Sequence, residues 1–143
     1  MSADPASGTV QTFTDSDGTT VTFAAGAYTA RKAGANGDLV PAADRIATIS
    51  VTTCLKSPPG GVSALSWTYW SLIFADGAGV QPLSAYSPRD FPKPLYPNDS
   101  DTAAVKTGQC RTGLIPFDIP AAQTGNPVRI EYSIESTILD WKV

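Results

Sequence analysis

The side chains here that can do chemistry are carboxylates, hydroxyls and aromatic rings, because the 143 residues include no histidine. That absence removes Ser-His-Asp and Cys-His catalysis, the usual histidine-containing zinc sites, blue copper and histidine-ligated haem. Carboxylate pairs can still run glycoside hydrolysis, provided that two of them face a cleft about 5 to 9 Å apart. Asp118, Glu131 and Glu135 are the candidates, yet all three fall on outward positions of predicted strands. They are expected to be solvated surface charge, and a hydrolase is the least favoured of three functional classes. "DSDG" at 15–18 suggests half a calcium loop. Placing Gly18 at the glycine position of an EF-hand, however, puts Phe13 and Ala24 where oxygen ligands belong, so a hairpin turn is the better assignment. Asn98, Asp99 and Asp101 gather in "PNDSD" and are expected to form a solvated acidic loop; Asn98-Asp99-Ser100 also fits the glycosylation sequon. No metal and no cofactor is expected.

The aromatic residues carry the more specific possibility. Trp67 and Tyr69 alternate with Trp70, Leu72 and Phe74 along "LSWTYWSLIFADG", while Tyr86, Phe91 and Tyr96 lie in or beside a proline-rich stretch. If Trp67, Tyr69, Tyr86, Phe91 and Tyr96 were exposed together on a sheet, they would suit stacking on sugar rings or anchoring a protein partner. The competing arrangement has the proline-rich segment folded back over Trp67 and Tyr69, burying them and shielding the sheet from association.

The elements that must position these residues are strands. Hydrophobic residues make up 42% and charged residues 16% of the chain, with twelve glycines and twelve prolines as punctuation. That mixture suits many short strands joined by turns. The net charge is −3 and no basic stripe is present, which argues against nucleic acid. No window approaches the roughly 18 apolar residues of a membrane-spanning helix. "MSADPASGTV" has neither a basic nor an apolar signal region, and its small polar residues resemble the start of a mature chain just after signal cleavage. The chain is therefore expected to be a mature secreted or cell-surface protein, with residues 1–8 flexible and 9–143 forming one domain. Cys54 and Cys110, an even pair in a glycine-rich chain, favour a disulfide in an oxidising compartment over two separate buried thiols. Such a bridge closes a loop of about 55 residues and contributes about 4 kcal/mol in the chain-entropy account.

"VQTFTDSDGTTVTF" predicts a hairpin with Gly18 at the positive-φ position. In "RIATISVTTCL" Ala47, Ile49, Val51 and Leu55 share one face, which leaves Cys54 on the polar one, tying a strand end to a loop. Residues 87–108 read as irregular. In "CRTGLIPFDIP" Ile115, Phe117 and Ile119 point to the core and Pro116 marks an edge or a solvent-facing amide. Val128, Ile130, Tyr132 and Ile134 point inward in "PVRIEYSIES", and Leu139, Trp141 and Val143 share a face in "TILDWKV". About eight strands result, stacked as two antiparallel layers around Trp70, Phe117 and Ile130.

The run "TGLIPFDIP", the alternating strand after it and the closing "ILDW" resemble the secreted immunoglobulin-like antigen family of mycobacteria and relatives. They are also similar to telokin-like domains of Gram-positive lipoproteins. The matching positions are Gly113, Ile115, Phe117, Asp118, Ile119 and Trp141, together with "WSLIFADG", over residues 46–86 and 108–141. The proline-rich loop, the cysteine pair and the N-terminal hairpin depart from the pattern. The resemblance implies an all-β, antiparallel, immunoglobulin-like β-sandwich that is exported, and it brings no catalytic residues. The expected function is accordingly a non-catalytic protein-interaction, self-association or surface-assembly module, with a carbohydrate-binding module as the alternative.

Overall fold

The computed structural model describes residues 5–32, 43–83, 94–98, 103–134 and 136–143. Tyr86, Phe91, Asp99, Asp101 and Glu135 lie outside the described residues.

Ten strands form among the described residues: β1 (Gln11–Thr14), β2 (Thr20–Lys32), β3 (Arg45–Ser57), β4 (Val62–Ala64), β5 (Trp70–Ile73), β6 (Gly79–Val80), β7 (Ala104–Lys106), β8 (Cys110–Ile119), β9 (Arg129–Ile134) and β10 (Thr137–Lys142). They make one sheet of order β1-β2-β3-β8, a second of order β10-β9-β5-β6, and a short β4-β7 ladder, with every pair antiparallel. This is the all-β antiparallel sandwich expected from the alternation.

The alternation works because side chains on a strand switch faces at every residue. Ala47, Ile49, Val51 and Leu55 of β3 are buried, as are Ile115, Phe117 and Ile119 of β8. From the other sheet Trp70, Leu72, Ile130 and Trp141 meet them, each at most 1% exposed. Complete burial of a large apolar side chain contributes about 1.5 to 3 kcal/mol, so these residues dominate the stability. Aromatic contacts tie them together, with Trp70 and Trp141 stacked at 5.6 Å and Phe23 meeting Trp70 edge-on at 5.8 Å.

Pro116 sits on β8, the last strand of its sheet, opposite Thr48. Its backbone faces away from β3: the Pro116 carbonyl accepts from Leu83 N at 3.0 Å, and the neighbouring outward residue Leu114 exchanges bonds with Pro94 and Tyr96. The missing proline N–H therefore costs the β3–β8 ladder nothing. Pro116 is buried rather than wet, because residues 82–83 lie along that edge.

Several expectations need correction. The strand expected to begin near Leu65 begins at Trp70; Trp67 to Trp70 is a turn closed by Trp70 N donating to the Trp67 carbonyl at 3.0 Å. Residues 104–106, expected in the irregular stretch, pair with β4 as strand β7. Val128 is 45% exposed and Val143 42%, because the inward run of β9 starts at Ile130 and β10 ends at Lys142. The disulfide joins directly facing residues of β3 and β8, with Cα atoms 4.1 Å apart, instead of tying a strand to a loop. Cys54 and Cys110 occupy a non-hydrogen-bonded pair, where facing residues come closest. Pro5 and Gly8 take part in backbone hydrogen bonds with Lys142 and Ala25.

Candidate functional site

The aromatic residues singled out in the sequence do not form one exposed platform. Trp67 and Tyr96 are each 2% exposed, whereas Tyr69 is 42% exposed. The physical reason is a clasp made by the end of the proline-rich segment. The Trp67 indole N–H donates to the Tyr96 carbonyl at 2.6 Å, and Asn98 Oδ1 accepts the Trp67 backbone N–H at 2.9 Å. Residues 94–96 run alongside β8, exchanging backbone bonds with Leu114. Gly113 makes this approach possible, since a Cβ there would lie 2.5 Å from the Leu95 carbonyl carbon. The segment thus covers Trp67, but it leaves Tyr69 outside.

What the structure offers instead is a cleft of about 330 Å³ at one end of the sandwich, between the sheets. The β1–β2 hairpin contributes Phe13, Asp15 and Val21, β4 and the residues after it contribute Ser63 to Ser66, and β9 contributes Tyr132 and Ile134. Tyr69 and Tyr96 also line it. The hairpin forms as the sequence predicts: Gly18 takes φ 90°, and Asp15 Oδ1 accepts the backbone N–H groups of Asp17 and Thr19 at 3.0 Å. "DSDG" is therefore a turn, and it sets Asp15 on the rim. Among the described residues the lining holds that one carboxylate and no lysine or arginine.

Three tyrosines set the polarity of the cleft. The Tyr96 hydroxyl bonds Thr53 Oγ1 at 2.5 Å inside the protein, and burial pushes its phenol up to about 12. Tyr132 is 7% exposed and its ring packs on Phe23, Trp70 and Tyr69 at 4.3, 5.0 and 6.0 Å. Its ionisation is disfavoured well beyond the ordinary tyrosine, first by burial and then by the nearby Tyr96 and Tyr69 phenols. The Tyr132 hydroxyl has no hydrogen-bond partner among the described residues. Unlike the Tyr28 hydroxyl, it is not sealed from solvent, so it opens on the cleft. Its inward position in the sequence marks Tyr132 only as core; the signal for more is the phenol itself, which a plain core position does not need.

The carboxylates take a different arrangement from that expected. Asp118 is half-buried beside Asp44, and its carboxyl is raised to about 6 by burial and by the hydrogen bond and charge of Asp44. Asp44 escapes a local reading of the sequence because it lies 74 positions away in the chain and meets Asp118 only through the β3–β8 pairing. The Asp118 side chain lines a separate hollow with Gly79 to Leu83, not the aromatic cleft. Glu131 lies on β9 opposite Ser71 and Asp140, half-exposed. Asn98, expected to be a solvated loop residue, serves the clasp instead.

No helix among the described residues is long and apolar enough to cross a membrane. No known family matches the chain, and no curated protein matches it. Among solved structures, it is similar to MPT63, a secreted protein of Mycobacterium tuberculosis, at 20% identity and a TM-score of 0.70, over 99% of this chain and 100% of that one. It is also similar to a functionally unknown protein of Listeria monocytogenes at 13% identity and a TM-score of 0.55, over 85% of this chain and 77% of that one. At these identities the likeness is one of fold.

Proposed function

We propose that this chain is an exported, non-catalytic binding module, an immunoglobulin-like sandwich whose ligand site is the cleft between the sheets. Export is supported by the Cys54–Cys110 disulfide, which persists in oxidising compartments, and by likeness of fold to a secreted protein. The single observation that carries the binding role is Tyr132: a nearly buried phenol in an aromatic-walled cleft, with its hydroxyl unpartnered among the described residues. Buried polar groups are normally satisfied within the fold, so one left open at a concave surface is available to a ligand. The test is a titration of ¹⁵N-labelled protein with phenol and benzyl alcohol, followed by amide shifts. Saturable shifts confined to Phe13, residues 63–66, Tyr69 and Tyr132 are expected; shifts elsewhere, or none, would contradict a site in the cleft.

A second function, as a protein-interaction, self-association or cell-surface assembly module, is favoured by Val10 and Ile138, which are 64% and 58% exposed. They belong to edges that lie side by side, since Gln11 donates to the Asp140 carbonyl and the Trp141 indole to the Thr9 carbonyl. Sedimentation velocity over a hundredfold concentration range tests it; a strictly monomeric protein whose behaviour is unchanged by Ile138→Asp would dismiss self-association.

A further inference from the structure

We infer that the cleft takes a neutral, hydroxyl-bearing ring, a single pyranose unit of a saccharide, which rests on the proposal that the cleft is the ligand site. Three features choose the class. Its volume, about 330 Å³, is at the small end for ligand sites and limits the occupant to about one ring. The walls are aromatic and aliphatic, with Phe13, Tyr69 and Tyr132 offering apolar surface to the C–H faces of a sugar. The polar side chains of the lining are hydroxyls and one carboxylate, among them the Tyr132 hydroxyl, Ser63 and the rim carboxylate Asp15.

Charge and hydrogen bonding remove the competitors. An anionic ligand would meet Asp15 with no lysine or arginine in the described lining to offset the repulsion. A quaternary ammonium ion suits aromatic walls, but it has no N–H or O–H groups and no lone pair. Seating it would cover the Tyr132 hydroxyl without giving it a partner, a penalty that a purely apolar ligand would share. A sugar hydroxyl both donates and accepts, so it satisfies that phenol, while other hydroxyls of the ring reach Asp15 and solvent. Tyr69 at the mouth, exposed and edge-on to Tyr132, is the ring that a longer saccharide would pass on its way out.

The experiment titrates ¹⁵N-labelled protein with the methyl pyranosides of glucose, galactose and mannose, and with glucuronate, tetramethylammonium and phenol. Saturable shifts at cleft residues with at least one methyl pyranoside are expected, glucuronate and tetramethylammonium binding at least fivefold more weakly. Tyr132→Phe and Tyr69→Ala, each checked for an intact amide spectrum, are expected to weaken that binding fivefold or more. Phenol binding without any pyranoside would overturn the saccharide assignment while leaving the cleft as a ligand site. Tetramethylammonium binding more tightly than every pyranoside would overturn it in favour of a cation. Silence with all six probes would overturn both proposals, and pyranoside binding indifferent to both substitutions would place the sugar elsewhere.

Discussion

The Trp67 indole N–H donates to the backbone carbonyl of Tyr96 at 2.6 Å, joining the turn before β5 to the end of the proline-rich segment. Both residues are buried. A pair that the sequence places either on an exposed aromatic surface or where the proline-rich segment folds back over Trp67 is therefore a fastening inside the fold.

Trp67→Phe keeps an aromatic ring and removes that donor, leaving the Tyr96 carbonyl without its indole partner. A loss of about 1 to 2 kcal/mol is predicted from urea unfolding. An unchanged midpoint would mean that the fastening contributes nothing.

Gly113→Ala drives a Cβ into the backbone of Leu95 and Tyr96, a contact that no rotamer change relieves. Destabilisation by about 1 to 3 kcal/mol is predicted, as for an overpacked core. Hydrogen exchange should show the damage first at the Tyr96 and Leu114 amides, which bridge the two segments; uniform loss of protection, or none, would refute that coupling.

Phe117→Ala empties a fully buried position on β8, and a cost of about 3 to 5 kcal/mol is predicted. A cost below about 1 kcal/mol would mean that the faces of β8 are reversed. For the crosslink, thiol titration of unfolded, unreduced protein should find no free thiol. The Cys54→Ala, Cys110→Ala double variant should lose about 4 kcal/mol. Two titratable thiols would undo the argument for export.

The contrast between Phe117 and Trp67 shows how much of this molecule is legible in its sequence. Alternation identifies Phe117, Ile130 and Trp141 as core because a paired strand enforces a period of two and the pattern continues through several residues on each. The same rule, applied to "WTYW", fails because residues 67–70 form a turn, where the period does not hold. Pro116 announces an edge because a proline has no N–H to give, but not which segment covers that edge. The site is less legible than the core. Of the aromatics singled out, Tyr69 and Tyr96 line the cleft, while Phe13 and Asp15 of the β1–β2 hairpin and Tyr132 of β9 arrive from distant parts of the chain, so their meeting depends on how the sheets stack. The meeting of Asp118 with Asp44 is hidden from a local reading for the same reason.

That carboxyl pair has a consequence for pH. The folded-state value of Asp118, about 6, lies above its ordinary 3.8. Between those values the folded protein binds more protons than the unfolded one, so this group's contribution to stability falls as pH rises through the window. Asp118→Asn abolishes the titration. Relative to wild type, the variant should gain stability between pH 4 and pH 7, read from paired melting curves; a constant difference across that range would show that neither burial nor Asp44 raises the Asp118 carboxyl.

The proposed binding role requires the Tyr132 hydroxyl to serve a ligand and not the fold, and the unfolding free energy of Tyr132→Phe tests this most directly, with Tyr96→Phe as its comparison. The Tyr96 hydroxyl is bonded to Thr53, so its removal should cost about 1 kcal/mol, and more if Thr53 is left unsatisfied. Removing the unpartnered Tyr132 hydroxyl should leave stability within about 0.5 kcal/mol of wild type, as for changes that break no internal interaction. A loss at Tyr132 equal to or greater than that at Tyr96 would show that the phenol holds the protein together, and the cleft would lose its claim to be a binding site.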